Sequence, residues 1–293
     1  MGIVDDIKDS FKQGSAITKL IYINLGVFAV ARLFDIVLQL FNIEGVDFLF
    51  WLELPASMPV FLTRPWTLLT YMFLHFDFFH IIFNVLFLYW FGHFFLMYYS
   101  EKQLVAIYLI GGIFGGAFFM LSYNIFPYFE ALKYNSWILG ASASVLAVTT
   151  AIAVTTPNFE INLMFIGKVK LKYLALIVIA VDLLSVTSFN SGGHIAHLGG
   201  ASAGYLFAVL MKNGKDMTAP LNKTIDFFVN IFKKKPPKMK VSKQRGANID
   251  YEYNKNKKQE NEIIDTILDK IKKTGYNNLT TEEKKKLFDQ SQK

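Results

Sequence analysis

The 293 residues include no cysteine, so neither a disulfide framework nor a thiolate nucleophile is available. The opening stretch, MGIVDDIKDSFKQGSAI, mixes both charges and lacks an apolar run closed by a small-residue cleavage site, so no cleavable signal peptide is expected. Polar surface is also scarce. Hydrophobic residues make up 53% of the chain and aromatic residues 16%, too apolar for an ordinary soluble domain of this size. What is present in quantity is long apolar windows. A hydrocarbon core of about 30 Å takes about 20 helical residues at about 1.5 Å each. Six windows qualify, at about 18–41, 76–98, 103–126, 142–156, 171–188 and 194–212.

The distribution of cations orients these windows. Lys8, Lys12 and Lys19 precede or open the first, Lys102 follows the second, and Lys168, Lys170 and Lys172 follow the fourth. Most of the remaining basic residues lie beyond residue 211, whereas the other three connections contain Arg64, Lys133 and no basic residue. The positive-inside rule then puts both termini in the cytoplasm. The net charge of +7 reports this topology, and no stacking platform or binding motif accompanies the lysines to favour nucleic acid. The expected fold is an all-α polytopic membrane protein. Residues 1–17 form a cytoplasmic N-terminal segment, 18–212 a six-transmembrane-helix bundle, 213–260 a basic, partly amphipathic linker, and 261–293 a small helical cytoplasmic tail module.

In that topology the second, fourth and sixth spans all begin at the outer face. The second begins HFDFFHIIFN, bringing His75, His80 and Asn84; His80 and Asn84 are four apart and share a helix face. The fourth begins GASAS, with Ser142 and Ser144, and the sixth GGHIAHLGGASAG, with His194 and His197. The fourth span is short, some 14 residues or roughly 21 Å, so it starts beneath the outer surface and its leading loop YNSWILGA must dip into the membrane. Irregular backbone is tolerated at that depth only when buried in protein or lining a water-filled cavity. A serine on such a cavity needs a general base, usually histidine, and the developing oxyanion needs donors such as an Asn amide, a ring N–H or a backbone N–H at a helix N-terminus. A carboxylate to orient the histidine is not evident. Asp77 is nearest, Asp182 belongs to the fifth span and receives no catalytic role, and a dyad is expected rather than a triad.

GASA, HIIFN and AHLGGASAG, on the fourth, second and sixth of six spans, resemble the rhomboid intramembrane serine proteases over about residues 18–212. The resemblance implies that Ser142 is the nucleophile and His197 the general base of a serine endopeptidase. It implies that His80 and Asn84 form the oxyanion hole with the Ser142 backbone amide. Gly140 shapes the turn before the serine, and His75 is a supporting residue. Gly200 and Gly204 select His197 over His194 and let the sixth span approach the fourth. The chain departs from the family in having Ala143 after the serine, usually Gly, and Thr67 after Trp66, often Arg. The implied substrates are transmembrane proteins cut near the outer face, with no cofactor and no metal. The fifth span and SVTSFNSGG are the expected substrate gate. The lack of an extra leading helix and of a transit peptide makes a prokaryotic inner membrane the expected location.

Two rival readings are a catalytically inactive rhomboid-like binder and a metal or haem protein ligated by His75, His80, His93, His194 and His197. GGIFGG at 111–116 reads as a helix-packing face, and Arg32 and Asp35 as a neutralising pair. In the tail, 221–235 is expected to lie as an interfacial helix on anionic lipid. Ile263, Ile264, Ile267, Leu268 and Ile271 form a helical stripe that Gly275 ends, and Thr280 with Glu283 makes a capping box.

Overall fold

The structure, a computed structural model, describes residues 2–45, 47–163, 167–232 and 246–291. It divides into one unit through Phe232 and a second from Lys233. In chain order the elements of the first unit are α1 (Ile3–Gln13), α2 (Ala16–Leu40), β1 (Leu54–Pro55), α3 (Met58–Thr63), α4 (Thr67–Thr70), α5 (Phe78–Leu96) and α6 (Glu101–Ile125). These are followed by β2 (Trp137–Ile138), α7 (Ser142–Thr155), β3 (Glu160–Leu163), β4 (Gly167–Lys170), α8 (Leu171–Leu184), α9 (Ser191–Lys212) and α10 (Ala219–Phe232). The second unit holds α11 (Gly246–Thr274) and α12 (Thr281–Ser291).

Each of the six apolar windows contains a helix. Among the described residues α2, α5, α6 and α9 are long and apolar enough to cross a membrane, while α7 is apolar but has only 14 residues. α8, also 14 residues, ends at Leu184, short of the expected 188; the Ser185 N–H closes it onto the Val181 and Asp182 carbonyls. The helix starts are set by side-chain caps. Ser15 accepts from the Thr18 N–H, Ser100 and Gln103 form a capping box, and Asp77 Oδ1 accepts from Phe79 N (2.7 Å) and His80 N (3.1 Å). Asp77 is thus engaged in starting α5. Its cap also places the helix start at Phe78, so His75 lies in the preceding loop rather than on the helix.

α7 is the centre of the bundle, with eleven of its fourteen residues buried against α5, α6, α8 and α9. Small residues permit this. A Cβ on Gly200 would run into the Ala143 carbonyl, one on Gly204 into the Ala147 carbonyl, and one on Gly111 into the Ala147 methyl. A Cβ on Gly199 would meet the Phe114 carbonyl at 2.5 Å. GGIFGG is therefore a packing face: backbone-to-backbone approach replaces the hydrophobic driving force that lipid surroundings remove. A polar tie adds to it on the α2 side, where the buried Tyr108 hydroxyl donates to the Met72 carbonyl (3.0 Å) and accepts from Asn24 Nδ2 (3.1 Å).

In the second unit Ile267 and Leu279 are buried. Gly275 (φ +82°) ends α11, and the Thr280–Glu283 box starts α12: Thr280 N donates to Glu283 Oε2 (2.8 Å) and Glu283 N to Thr280 Oγ1 (3.3 Å). Lys270 Nζ binds the same Glu283 carboxylate at 2.9 Å. α11 starts at Gly246, so residues 246–260, assigned from the sequence to the linker, are helical. Their helix carries no apolar stripe of its own, which is why periodicity did not reveal it. The end of the expected 221–235 interfacial helix, 233–235, lies outside the described residues; 219–232 is α10, tied to α6 by Lys102 and Asp226 (2.7 Å).

Candidate active site

The loop before α7 is held through several of its backbone groups. β2 pairs antiparallel with β1 in the register Leu54↔Ile138 and Pro55↔Trp137, and the Ala56 N–H donates to the Ser136 carbonyl. The Gly140 N–H donates to the Tyr71 carbonyl at 3.0 Å, and the Ala141 N–H to His75 Nε2 at 3.5 Å. The end of the loop nearest the helix, Ile138, Gly140 and Ala141, is therefore irregular backbone that is buried and tied to the protein by hydrogen bonds. Gly140 adopts φ +127°, a conformation an L side chain rarely takes, and a Cβ there would lie 2.7 Å from the His80 ring. His75 is buried and packs its ring edge to face at 5.2 Å from that of His80. His75 thus braces the turn and the neighbouring imidazole together.

Ser142 is the first residue of α7. At that position its backbone N–H has no acceptor within the helix and is free for an anion. The side chains of Ser142, His80, Asn84 and His197 line one cavity of about 850 Å³, bounded by Phe83 and Phe87 of α5 and Leu174 and Val178 of α8. Glu53 and Asp77 supply carboxylates to its wall. Asn84 Nδ2 donates to the His80 carbonyl at 2.9 Å, which fixes the amide on the cavity side of α5. Ser144 is fully buried instead, its Oγ without a partner and 2.8 Å from where a Gly112 Cβ would stand. Ala143, in place of the usual glycine, is buried in ordinary helix, its methyl at 2.6 Å from the position of a Gly115 Cβ. Thr67 hydrogen-bonds the Arg64 carbonyl at 2.8 Å, and the buried Arg64 guanidinium stacks over Phe50 at 3.6 Å.

The sequence reading gave Asp182 no part in the site, and the geometry differs. Asp182 is 4% exposed on α8, and its Oδ1 lies 2.8 Å from His194 Nδ1 and 2.9 Å from His197 Nδ1. His197 lines the cavity; His194 is not among the lining residues. These three residues also have ligand atoms within 4.8 Å of one another, an arrangement compatible with a metal ion. The five-histidine cluster does not form: His93 is exposed and bonds the Tyr89 carbonyl at 2.6 Å. At Glu53, in the connection between α2 and β1, burial pushes the carboxyl up to about 7, with Asp47 adding to the rise and Arg64 opposing it.

Fold and site together define a polytopic helical membrane protein whose cavity gathers a serine, histidines and an amide around the start of its central helix. The Rhomboid domain family model matches residues 62–214, and the chain belongs to the rhomboid family. A second match, over 247–293, is to a family of unknown function (DUF6576). The chain is 27% identical over 205 residues to RHOMBOID-like protein 12, mitochondrial, of Arabidopsis thaliana, a match covering 67% of this chain and 58% of that relative.

Proposed function

We propose that this rhomboid-family protein is an intramembrane serine endopeptidase that cleaves transmembrane protein substrates through an acyl-enzyme. The observation that carries the reading is the convergence of Ser142, His80, Asn84 and His197, from three distant segments, on one cavity. Ser142 Oγ attacks the scissile carbonyl carbon while His197 takes its proton, and His197 then returns that proton to the leaving amine. The oxyanion is met by the Ser142 N–H, the Asn84 amide and the His80 ring. Ser142 Oγ makes no hydrogen bond among the described residues; bonds of this kind often tighten only when substrate is bound.

The cavity wall runs between α5 and α8, which supports lateral admission of a substrate helix past α8 and residues 185–190. Six spans, cytoplasmic termini in a prokaryotic inner membrane, and contact of the basic region after α9 with anionic lipid complete the reading. The test is cleavage of a panel of single-span membrane proteins by protein reconstituted in vesicles. Cleavage that Ser142→Ala abolishes is expected. Undiminished cleavage by that variant would falsify the assignment, and well-folded protein that cleaves nothing would leave an inactive binder.

A further inference from the structure

The carboxylate the sequence did not supply comes from α8. Asp182 interrupts the apolar run LALIVIAVDLL, and burying a carboxylate in such surroundings is costly unless partners offset it. Its partners are two imidazoles. His194 and His197 are three apart, so they share a face of α9, and both present Nδ1 to the same Asp182 oxygen. An ionised carboxylate can only accept, so each Nδ1 must carry the hydrogen. In a neutral imidazole that leaves Nε2 bare, which makes His197, lining the cavity with Ser142, the tautomer a general base requires.

We propose that Asp182 is the positioning residue for His197, and that the site works as Ser142–His197–Asp182 rather than as a dyad. The proposal rests on the protease reading above. Asp182 fixes the His197 tautomer and ring orientation, and its charge stabilises the imidazolium formed when Nε2 takes the Ser142 Oγ proton and the Oγ–carbon bond forms. The Nδ1 proton stays on His197 throughout; the Nε2 proton passes to the amine nitrogen as the C–N bond breaks. His194 supplies the second donor to Oδ1 and holds the carboxylate in place. The buried Oδ2 has no partner, so the interactions that hold the group converge on one oxygen. Because α8 also contributes Leu174 and Val178 to the cavity wall, any displacement of that helix carries the acceptor with it.

The alternative is a mere tie between α8 and α9, and the two roles separate by experiment. Rates of fluorophosphonate modification at Ser142, and kcat and KM for a membrane substrate, are compared for the wild type, Asp182→Asn, Asp182→Glu and His194→Phe. Asp182→Asn is expected to lower kcat on the order of 10²–10⁴-fold with KM nearly unchanged, Asp182→Glu to recover part of the loss, and His194→Phe to lose less than about tenfold. Wild-type kcat in Asp182→Asn, or equal losses in Asp182→Asn and His194→Phe that fall on KM, would overturn the proposal. Should the variants not fold, nitrogen-15 solid-state NMR of the wild type in bilayers decides. Protonated Nδ1 and bare Nε2 on His197 are expected, and the opposite tautomer contradicts the proposal. Wild-type protein unmodified at Ser142 is a separate result that sinks the protease reading itself.

Discussion

α2 and α7 are both apolar enough to sit in lipid, yet they occupy opposite ends of the packing order. α2 has 25 residues and buries five of them; α7 has 14 and buries eleven. Leu33, Phe34 and Val37 of α2 are exposed, whereas Ala147, Val148 and Ala151 of α7 are completely enclosed. Hydropathy does not separate the two helices, but residue size does. In lipid, an apolar side chain gains little by leaving one apolar neighbour for another, so close approach of small residues decides which helix becomes central. The serine stands where that central helix begins, and the crowding around it follows from Gly200, Gly204 and Gly111 meeting α7 without side chains.

The largest effect should come from breaking that contrast at its tightest point. Gly200→Leu would drive a side chain into the Ala143 backbone, which cannot rotate aside. The cost should exceed the 1–3 kcal/mol or so of ordinary overpacking. Loss of the folded species in size-exclusion and thermal-melting measurements is expected, and a wild-type melting profile would break the comparison. Asn84→Ala sharpens it by separating chemistry from packing. Cleavage should fall roughly 10²–10³-fold while the melting temperature changes little, as measured by kinetics and melting of the same preparation.

A smaller effect is expected at Glu53. Because its carboxyl is raised from 4.5 to about 7, the folded state binds the proton more tightly than the unfolded state. Its stabilising contribution is full below pH 4.5 and is lost as pH rises through about 7. Glu53→Gln should remove that part of the pH dependence; melting curves at pH 5 to 8 that do not differ from wild type would contradict it. Least of all should Leu33→Ala matter. It lies on the exposed face of α2, 64% exposed, and a change within about 0.5 kcal/mol is expected from reversible unfolding.

Much of the bundle was legible because it rests on local features. Window length marks the apolar segments, 14 residues mark α7 as short, and the HIIFN, GASA and AHLGG stretches carry the cavity groups. The position of His75 outside α5 was also readable, since Asp77 followed by an apolar run is a cap signal. Asp182 was not readable in this way. It lies 12 and 15 residues before its two histidine partners, on a different helix, and no periodicity predicts which way α8 turns toward α9. The β1–β2 pair was equally hidden: two residues joined to two others 82 and 84 positions away leave no alternation to detect. Long-range geometry of this kind is fixed by packing between helices rather than by pattern within one.

The central claim is that Ser142 is an activated nucleophile with His197 as its base. The most direct measurement is fluorophosphonate labelling of detergent-solubilised protein, with the modified residue mapped by mass spectrometry and the experiment repeated on His197→Ala. Modification at Ser142 that disappears in His197→Ala is the predicted result. Folded protein that takes up no label, or takes it up at Ser142 equally well without His197, would contradict the account.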